Sequence, residues 1–535
     1  MIQASYYFKS CATENIKMAS TSSPISDFFR GRHVLITGGT GFMGKVLVEK
    51  LLHSCPNIGL IYLLIRPKQG HDVKSRLDQL LNAAIFDWVK KNQPESLKKL
   101  VPINGDVTKC DLGISALDQK TLIDNVSIVF HSAATVKFDE ALKLSVAMNL
   151  LGTKRLVQLS NNMTKLEAFV HVSTAYCNCN RQDVEEHLYP IPADPEKIIQ
   201  CVDCLDENLL ESITPKIIKG WPNTYTFTKA LAEKMLLLQG DKLPIVIVRP
   251  SIVTASWREP ILGWVDNLNG PTGLLAGAGK GVLRTLLCHK DLIADLVPVD
   301  ICINLLISAA WYTATNRPKG IEIYHCTSGT TNPIYWKDIE RLGHEFILEN
   351  PFSDILWYPG GSFKSNRVVN YLCVAAFQMA PAYIIDALAK ITGRQPRLVR
   401  IHQRLQKAVS CLEFFTTHEW NFKNTNVQKL FTELDPNDQK TFYFDVSQLE
   451  WRSYIESYIW GTRQFVLKDH PSTVSDAKLR LRRMYYLHRT SQMVFVVLAI
   501  RYILLGNKSI RRFWYSALCF LIKCISNTTS SLRLV

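Results

Sequence analysis

The stretch His33-Val34-Leu35-Ile36-Thr37-Gly38-Gly39-Thr40-Gly41-Phe42-Met43-Gly44-Lys45 decides the fold. A β-branched apolar run enters a glycine-rich turn, and an amphipathic segment with Val46, Leu47, Leu51 and Leu52 leaves it, the order expected of strand, turn and helix. In that setting Gly38 permits a tight turn, Gly41 lets backbone approach a pyrophosphate, and Gly44 lets helix pack on strand. The helix N-terminus then offers unpaired N–H groups and the positive end of its dipole to phosphate. Thr40 and Phe42 lie inside the same turn and join the candidate cofactor site.

The glycine spacing is Gly-x-x-Gly-x-x-Gly rather than the Gly-x-Gly-x-x-Gly of ordinary dehydrogenases. With its leading Thr-Gly-Gly-Thr-Gly-Phe, the stretch resembles the extended short-chain dehydrogenase/reductase superfamily. The expected architecture is a doubly wound parallel sheet of Rossmann type over 31–330. A mostly helical C-terminal domain over 331–475 and a hydrophobic membrane-associating tail over 476–535 would follow. Residues 1–30 are polar, without periodicity, and read as a flexible leader.

Composition narrows the partners. The chain has 535 residues, 47% of them apolar, enough for two or more domains with full cores. Its formal charge of +15 suits coenzyme phosphates or an anionic lipid surface. No basic run interleaves with a nucleic-acid-binding module, so nucleic acid is not an expected partner. The 14 cysteines are scattered, with no secretory signal before them, which points to a reducing, cytosol-facing setting. Cys201 and Cys204 form a bare Cys-x-x-Cys with no second pair nearby, so no metal site is expected.

A second strand, Leu60–Ile65, ends at Arg66-Pro67-Lys68. An NAD-specific site usually carries an acid there for the ribose 2′-hydroxyl; Arg66 instead suits the 2′-phosphate of NADP, a solvated basic loop being the other reading. After a helical stretch over about 74–91 and a third strand, the superfamily places an Asp at the adenine edge, where this chain has Asp106-Val107. Strand four, Ser127–His131, continues into Ser132-Ala133-Ala134, small residues that let backbone pass close to a nicotinamide ribose. His131 reads as structural. Asn149 matches a superfamily position that braces the active site.

Strand five, Ala168–Val172, ends at Ser173-Thr174, where a hydroxyl can hydrogen-bond a substrate carbonyl. Thr174 aligns with the superfamily's catalytic hydroxyl, and Ser173 stands beside it as a second candidate. Tyr225-Thr226-Phe227-Thr228-Lys229 then opens a helix running to about Leu238. The Tyr-x-x-x-Lys spacing puts phenol and ammonium on one face, about one turn apart. A phenol of ordinary pKa near 10 is a poor base unless a cation steadies its phenolate, and the lysine can also hold the nicotinamide ribose. Between strand five and this tyrosine lies a long insertion, 177–221, with Pro190, Pro192 and Pro195, then a helix-like piece from Asp206 to Ile213 that Pro215 should end. An insertion there would be a lid or substrate wall. Pro250, closing the next strand, completes the expected cofactor contacts.

Taken together, Gly-Gly-Thr-Gly-Phe-Met-Gly, Leu64–Lys68, His131–Val136, Val172–Asn178, Tyr225–Lys229, Arg249–Val253, Trp257–Pro260 and Gly263–Asn267 resemble animal alcohol-forming fatty acyl-CoA reductases over about 26–525. That resemblance implies NADPH-dependent reduction of a long-chain acyl thioester to a primary alcohol through an aldehyde, with coenzyme A released. It also implies membrane association, on the peroxisome or the endoplasmic reticulum. Another extended-superfamily oxidoreductase or epimerase, and a non-catalytic cofactor-binding scaffold, are the competing readings. Arg66, the insertion and the intact Thr174, Tyr225 and Lys229 weigh against them.

Lys280, Arg284 and Lys290 could meet coenzyme A phosphates or form a solvated face. Beyond 330, helical patterns recur at Ala382–Thr392, Arg397–Phe415 and Val446–Ile459. Near the end, the basic Lys478–Arg483 precedes two apolar runs, Met493–Gly506 and Phe513–Ile525, each shorter than the roughly 20 residues of a comfortable span. A hairpin in one leaflet, a tilted anchor and two interfacial helices are all compatible with them.

Overall fold

The computed structural model describes residues 23–506, except 69, 192 and 241, together with 512 and 516. Seven strands form one parallel sheet: β1 His33–Thr37, β2 Ile61–Ile65, β3 Leu100–Asn104, β4 Val126–His131, β5 Ala168–Val172, β6 Ile245–Pro250 and β7 Glu322–Cys326. Their order is β7-β6-β5-β4-β1-β2-β3, so the chain reverses direction of travel between β1 and β4. In such sheets the ligand crevice lies outside the strand C-termini at that reversal.

The central strands β1, β2, β4, β5 and β6 are mainly apolar runs buried on both sides, as covered parallel strands must be, whereas the edge strand β3 is only partly buried. Alternate residues feed opposite layers. Val34, Ile36, Ile128 and Phe130 face a core shared with α1 Phe42–Ser54, whereas Leu35, Val129, Phe169 and Ile247 face one shared with α2 (residues 142–160) and α3 Thr224–Gln239. The long buried helix α4 Val299–Asn316 completes the first layer. The expected single helix over 74–91 is two, Val73–Leu81 and Asp87–Asn92, joined by a short 3₁₀ turn.

Further features differ from the expectations. Residues 23–30 are not leader: Ser23 caps a short helix, Pro24–Phe28, and Ile25 and Phe29 are fully buried in the main core. Pro215 does not end its helix, which runs Glu207–Ile217, because a proline this near the C-terminus deletes only one bond. A preceding helix, Pro195–Cys204, was not foreseen.

The C-terminal region is mostly helical, as expected, and packs closely on the sheet domain. Asn421–Phe422 pairs in parallel with Asp183–Val184 of the insertion, Ser362–Lys364 pairs with Thr285–Leu287, and Phe442, Phe444 and Val446 enter the main core. Its helices are α5 Trp336–Glu349, α6 Arg367–Ile391, α7 Leu398–Thr417, α8 Trp451–Gly461 and α9 Val474–Gly506. The first tail run continues the basic cluster as the single helix α9; the second, Phe513–Ile525, lies outside the described residues. Helix α6, far longer than the expected Ala382–Thr392, is the one described helix long and apolar enough to cross a membrane.

Candidate active site

The β1 turn is built as a cradle. Gly38 adopts φ +77°, and a Cβ on it would sit 2.8 Å from the Ala133 amide nitrogen of the β4 loop. At Gly44 a Cβ would come within 2.2 Å of the Gly38 carbonyl oxygen, so only glycine lets α1 close on the turn. Gly41 is the N-cap of α1 without any side-chain cap bond, leaving the first-turn N–H groups free. These groups, with the crowding at Gly38 and Gly44, fit a pyrophosphate. Phe42 stacks on Trp264 at 5.5 Å, and Lys45 pairs with Asp266 at 2.8 Å, pinning the helix start to the 264–266 segment.

At the end of β2, Arg66 keeps its side chain 56% exposed, its Nε 3.8 Å from an Asp106 carboxylate oxygen. Asp106 also accepts from the Thr108 amide and hydroxyl, which fixes the turn after β3. Val107 packs under Gly152 of α2, and its carbonyl accepts from Arg155. Arg76, not singled out from sequence, donates to the Arg66 carbonyl and to Thr40 Oγ1 at 3.2 Å. Burial and the neighbouring Arg66 charge both lower its pKa. Two guanidinium groups thus stand together beside the glycine turn, an arrangement that favours a bound anion. A basic residue in the first turn of the helix after β2 was the available signal.

Deeper in the crevice the groups are neutral. His131 bonds Thr37 through Nδ1 at 2.7 Å and Thr153 through Nε2 at 3.0 Å, and burial brings its pKa down to about 3. Thr37 Oγ1 in turn accepts from the Ala133 amide, so the histidine is a structural strut. Asn149 sits in a π turn of α2, Val146–Leu151. Its Oδ1 accepts from the Thr135 amide at 2.9 Å, and its Nδ2 donates to Thr228 Oγ1 at 3.0 Å, tying the β4 loop to α3.

Thr174, Tyr225 and Lys229 meet at the ends of β5 and α3. Thr174 Oγ1 donates to the Pro250 carbonyl at 3.4 Å, and the hydroxyl lies close enough to the Tyr225 phenol to lower its pKa. Burial pushes that phenol up to about 12, partly offset by the neighbouring Thr174 hydroxyl. The tyrosine is therefore a neutral hydrogen-bond donor. Lys229 Nζ donates to the Val172 carbonyl at 2.6 Å; burial brings its pKa down to about 8, with Glu233 one turn on holding it from falling further.

Ser173 is the candidate that turns away. Its hydroxyl donates to Glu233 Oε1 at 2.5 Å. Glu233 is held in a fully buried pair by Arg249, through Nε at 2.9 Å and Nη2 at 2.6 Å. Arg249 also donates to the Glu185 and His187 carbonyls, anchoring the insertion to the sheet. On the open side Phe138 stacks on Tyr225 at 5.8 Å and touches Phe415 of α7 at 5.0 Å, beside Tyr176 and Trp420. This wall comes from segments far apart in sequence. Among the described residues no three His, Cys, Asp or Glu side chains converge as a metal site, and the described cysteines are free.

Sheet, glycine cradle and Thr-Tyr-Lys cluster define a Rossmann-type oxidoreductase of the extended short-chain dehydrogenase/reductase class. Solved structures agree in fold: the terminal reductase domain of the myxalamid pathway (TM-score 0.54, 18% identity, 81% of this chain and 90% of that one) and a nonribosomal peptide synthetase reductase domain from Mycobacterium tuberculosis (0.54, 18%, 83% and 93%). Family profiles described as "Male sterility protein" match residues 36–306 and 377–469. Curated relatives include fatty acyl-CoA reductase 1 of Xenopus laevis, 42% identical over 95% of this chain and 99% of that protein. Fatty acyl-CoA reductase 1 of Homo sapiens is 40% identical over the same shares, and human fatty acyl-CoA reductase 2 is 40% identical over 94% and 98%. The chain belongs to the fatty acyl-CoA reductase family.

Proposed function

We propose that the chain reduces long-chain fatty acyl-CoA to primary fatty alcohol with NADPH, in two hydride transfers through the aldehyde. The Thr174–Tyr225–Lys229 cluster, inside a chain of this family, carries the reading. The glycine cradle and free α1 N-terminus suit the pyrophosphate, while Arg66 and Arg76 supply two cations for the 2′-phosphate. Asp106, Val107, Ala133, Asn149 and Pro250 frame the rest of that cofactor site. When bound, NADPH supplies the hydride.

Thr174 and Tyr225 hold the thioester carbonyl oxygen by two hydroxyls and stabilise the negative charge that develops on it. The C–S bond of the resulting hemithioacetal breaks, coenzyme A leaves and the aldehyde stays. In the second reduction Tyr225 gives its proton to the alkoxide. Lys229, brought down to about 8, is a stronger acid than a phenol near 12, so proton return to Tyr225 runs downhill. No covalent enzyme intermediate is needed.

The same reading seats the protein on a membrane with its catalytic part toward the cytosol, the peroxisome first and the endoplasmic reticulum second. The exposed apolar residues of α6 and of α9 support membrane association. The test is product analysis of membranes carrying the chain, given labelled palmitoyl-CoA with NADPH or NADH. Hexadecanol with NADPH and little with NADH is expected. No product from any acyl-CoA, despite NADPH binding, refutes the reading.

A further inference from the structure

Helix α6 and its partner α7 form a hairpin whose surface does not suit water. Over 25 residues α6 has a mean hydropathy of 1.6 in its most apolar window, and only 11% of that window is buried. Gln378 and Ala382, one turn apart, face the body, where Gln378 Oε1 accepts from the Arg284 amide at 3.2 Å. Val368, Leu372, Phe377, Ile384 and Ile391 are exposed around the rest of the circumference. A helix apolar on nearly every side belongs in a protein core or in lipid.

Charge tells which. Lys390, Arg394, Arg397, Arg400 and Arg404 are all exposed around the hairpin bend. No Asp or Glu occurs between 387 and 412, and Asp386 is engaged in capping α7, accepting from the amides of Arg397, Leu398 and Val399. An apolar helix bordered by uncompensated cations fits the headgroup boundary of an anionic bilayer.

Two connections give this surface its direction. Arg284, which holds α6 through Gln378, also donates to the Tyr358 carbonyl at 2.8 Å, and the Tyr358 ring stacks on His488 of α9. The two exposed apolar helices therefore leave the body from one patch. At its other end α7 enters the active site: Lys407 pairs with Asp139 at 3.0 Å, and Phe415 meets Phe138, which stacks on Tyr225.

We propose that the hairpin 367–417 is a second membrane-seating element, independent of the C-terminal tail, and that it delivers the acyl chain. Helix α6 lies in the interface of an anionic bilayer with the bend cations at the headgroups. Helix α7, about 30 Å long, leads from there to the aromatic wall beside Tyr225. A long acyl tail then reaches the hydroxyls without crossing bulk water. The delivery part rests on the acyl-CoA reading above; the lipid contact does not.

The full chain, reconstituted in phosphatidylcholine vesicles containing phosphatidylserine, carries the photoreactive residue benzoylphenylalanine at position 384 or 391. Position 117, exposed on a helix remote from the hairpin, serves as control. Irradiation should give lipid adducts from 384 and 391 and none from 117. Adducts to a second copy or to the chain's own C-terminal segment, or no adduct at all, overturn the proposal. In the same vesicles Arg394→Glu/Arg397→Glu/Arg400→Glu should raise KM several-fold for palmitoyl-CoA and leave KM for water-soluble hexanoyl-CoA unchanged. An equal rise for both chain lengths makes the cations a coenzyme A site and overturns delivery. A chain that cross-links lipid but reduces no acyl-CoA refutes the proposed function alone.

Discussion

Replacing Glu233 by glutamine should move the alkaline limb of the pH–rate profile downwards. In the proposed mechanism Lys229 carries the proton that returns to Tyr225, so turnover should require the ammonium and be lost as pH rises through its pKa, near pH 8 in the folded protein. Burial depresses that pKa, and Glu233, one helical turn away, is the largest influence raising it. At an effective dielectric of about 20 and a separation of roughly 6 Å, one unit charge is worth about 2.8 kcal/mol, or about two pKa units. Water drawn to the uncovered Arg249 will reduce this, so a fall of about one unit is expected. The assay is kcat for palmitoyl-CoA at saturating NADPH across the neutral to alkaline range. NADPH binding and near-UV circular dichroism confirm the fold. Uncovering Arg249 also destabilises the protein by about 3–5 kcal/mol, whereas Glu233→Leu with Arg249→Met restores stability but not the limb. A limb that stays put in a folded Glu233→Gln variant, with kcat merely scaled, would mean that the Lys229 charge plays no part in turnover.

Tyr225→Phe removes the proposed proton donor without opening a cavity. It should lower kcat by about 10²–10⁴-fold with KM little changed, read by alcohol and aldehyde release. Arg66→Ala and Arg76→Ala should each weaken NADPH binding roughly ten- to a hundredfold, as expected for one charge-assisted bond, and leave NADH binding unchanged. Titration of both nucleotides checks this, and equal losses for the two would refute a 2′-phosphate site. Gly44→Ala drives a methyl group to 2.2 Å from the Gly38 carbonyl, so it should cost about 1–3 kcal/mol or more in thermal unfolding and abolish cofactor binding.

What was legible in the sequence was local. The β1 turn, the Arg66 strand end and the Tyr225–Lys229 spacing each occupy one contiguous stretch, so periodicity and chemistry could be read together. Arg249 was read only as part of a strand, because its role depends on Glu233 and on the insertion carbonyls at 185 and 187. Ser173 and Thr174 alternate across the pleat of one strand end, and nothing local says which hydroxyl turns toward Glu233. Phe138 and Phe415 meet across 277 residues of chain. Helix α6 was underestimated because Pro381 reads as a helix start, whereas the preceding π turn, Ala375–Met379, carries the helix through it.

The buried charges around the reacting hydroxyls explain why the Glu233–Arg249 pair is needed at all. His131 and His171 are forced neutral by burial and by the nearby Lys229 charge, and Tyr225 is forced neutral by burial. Beside them stand the charges of Lys229 and of the Glu233–Arg249 pair. Glu233 raises the lysine against its burial and so holds it at about 8, and in the proposed mechanism this leaves it charged enough to stabilise an oxyanion and acidic enough to part with its proton. Arg249 also bonds the insertion carbonyls of Glu185 and His187, so loosening the insertion should disturb the Glu233–Arg249 pair and with it the pKa of Lys229.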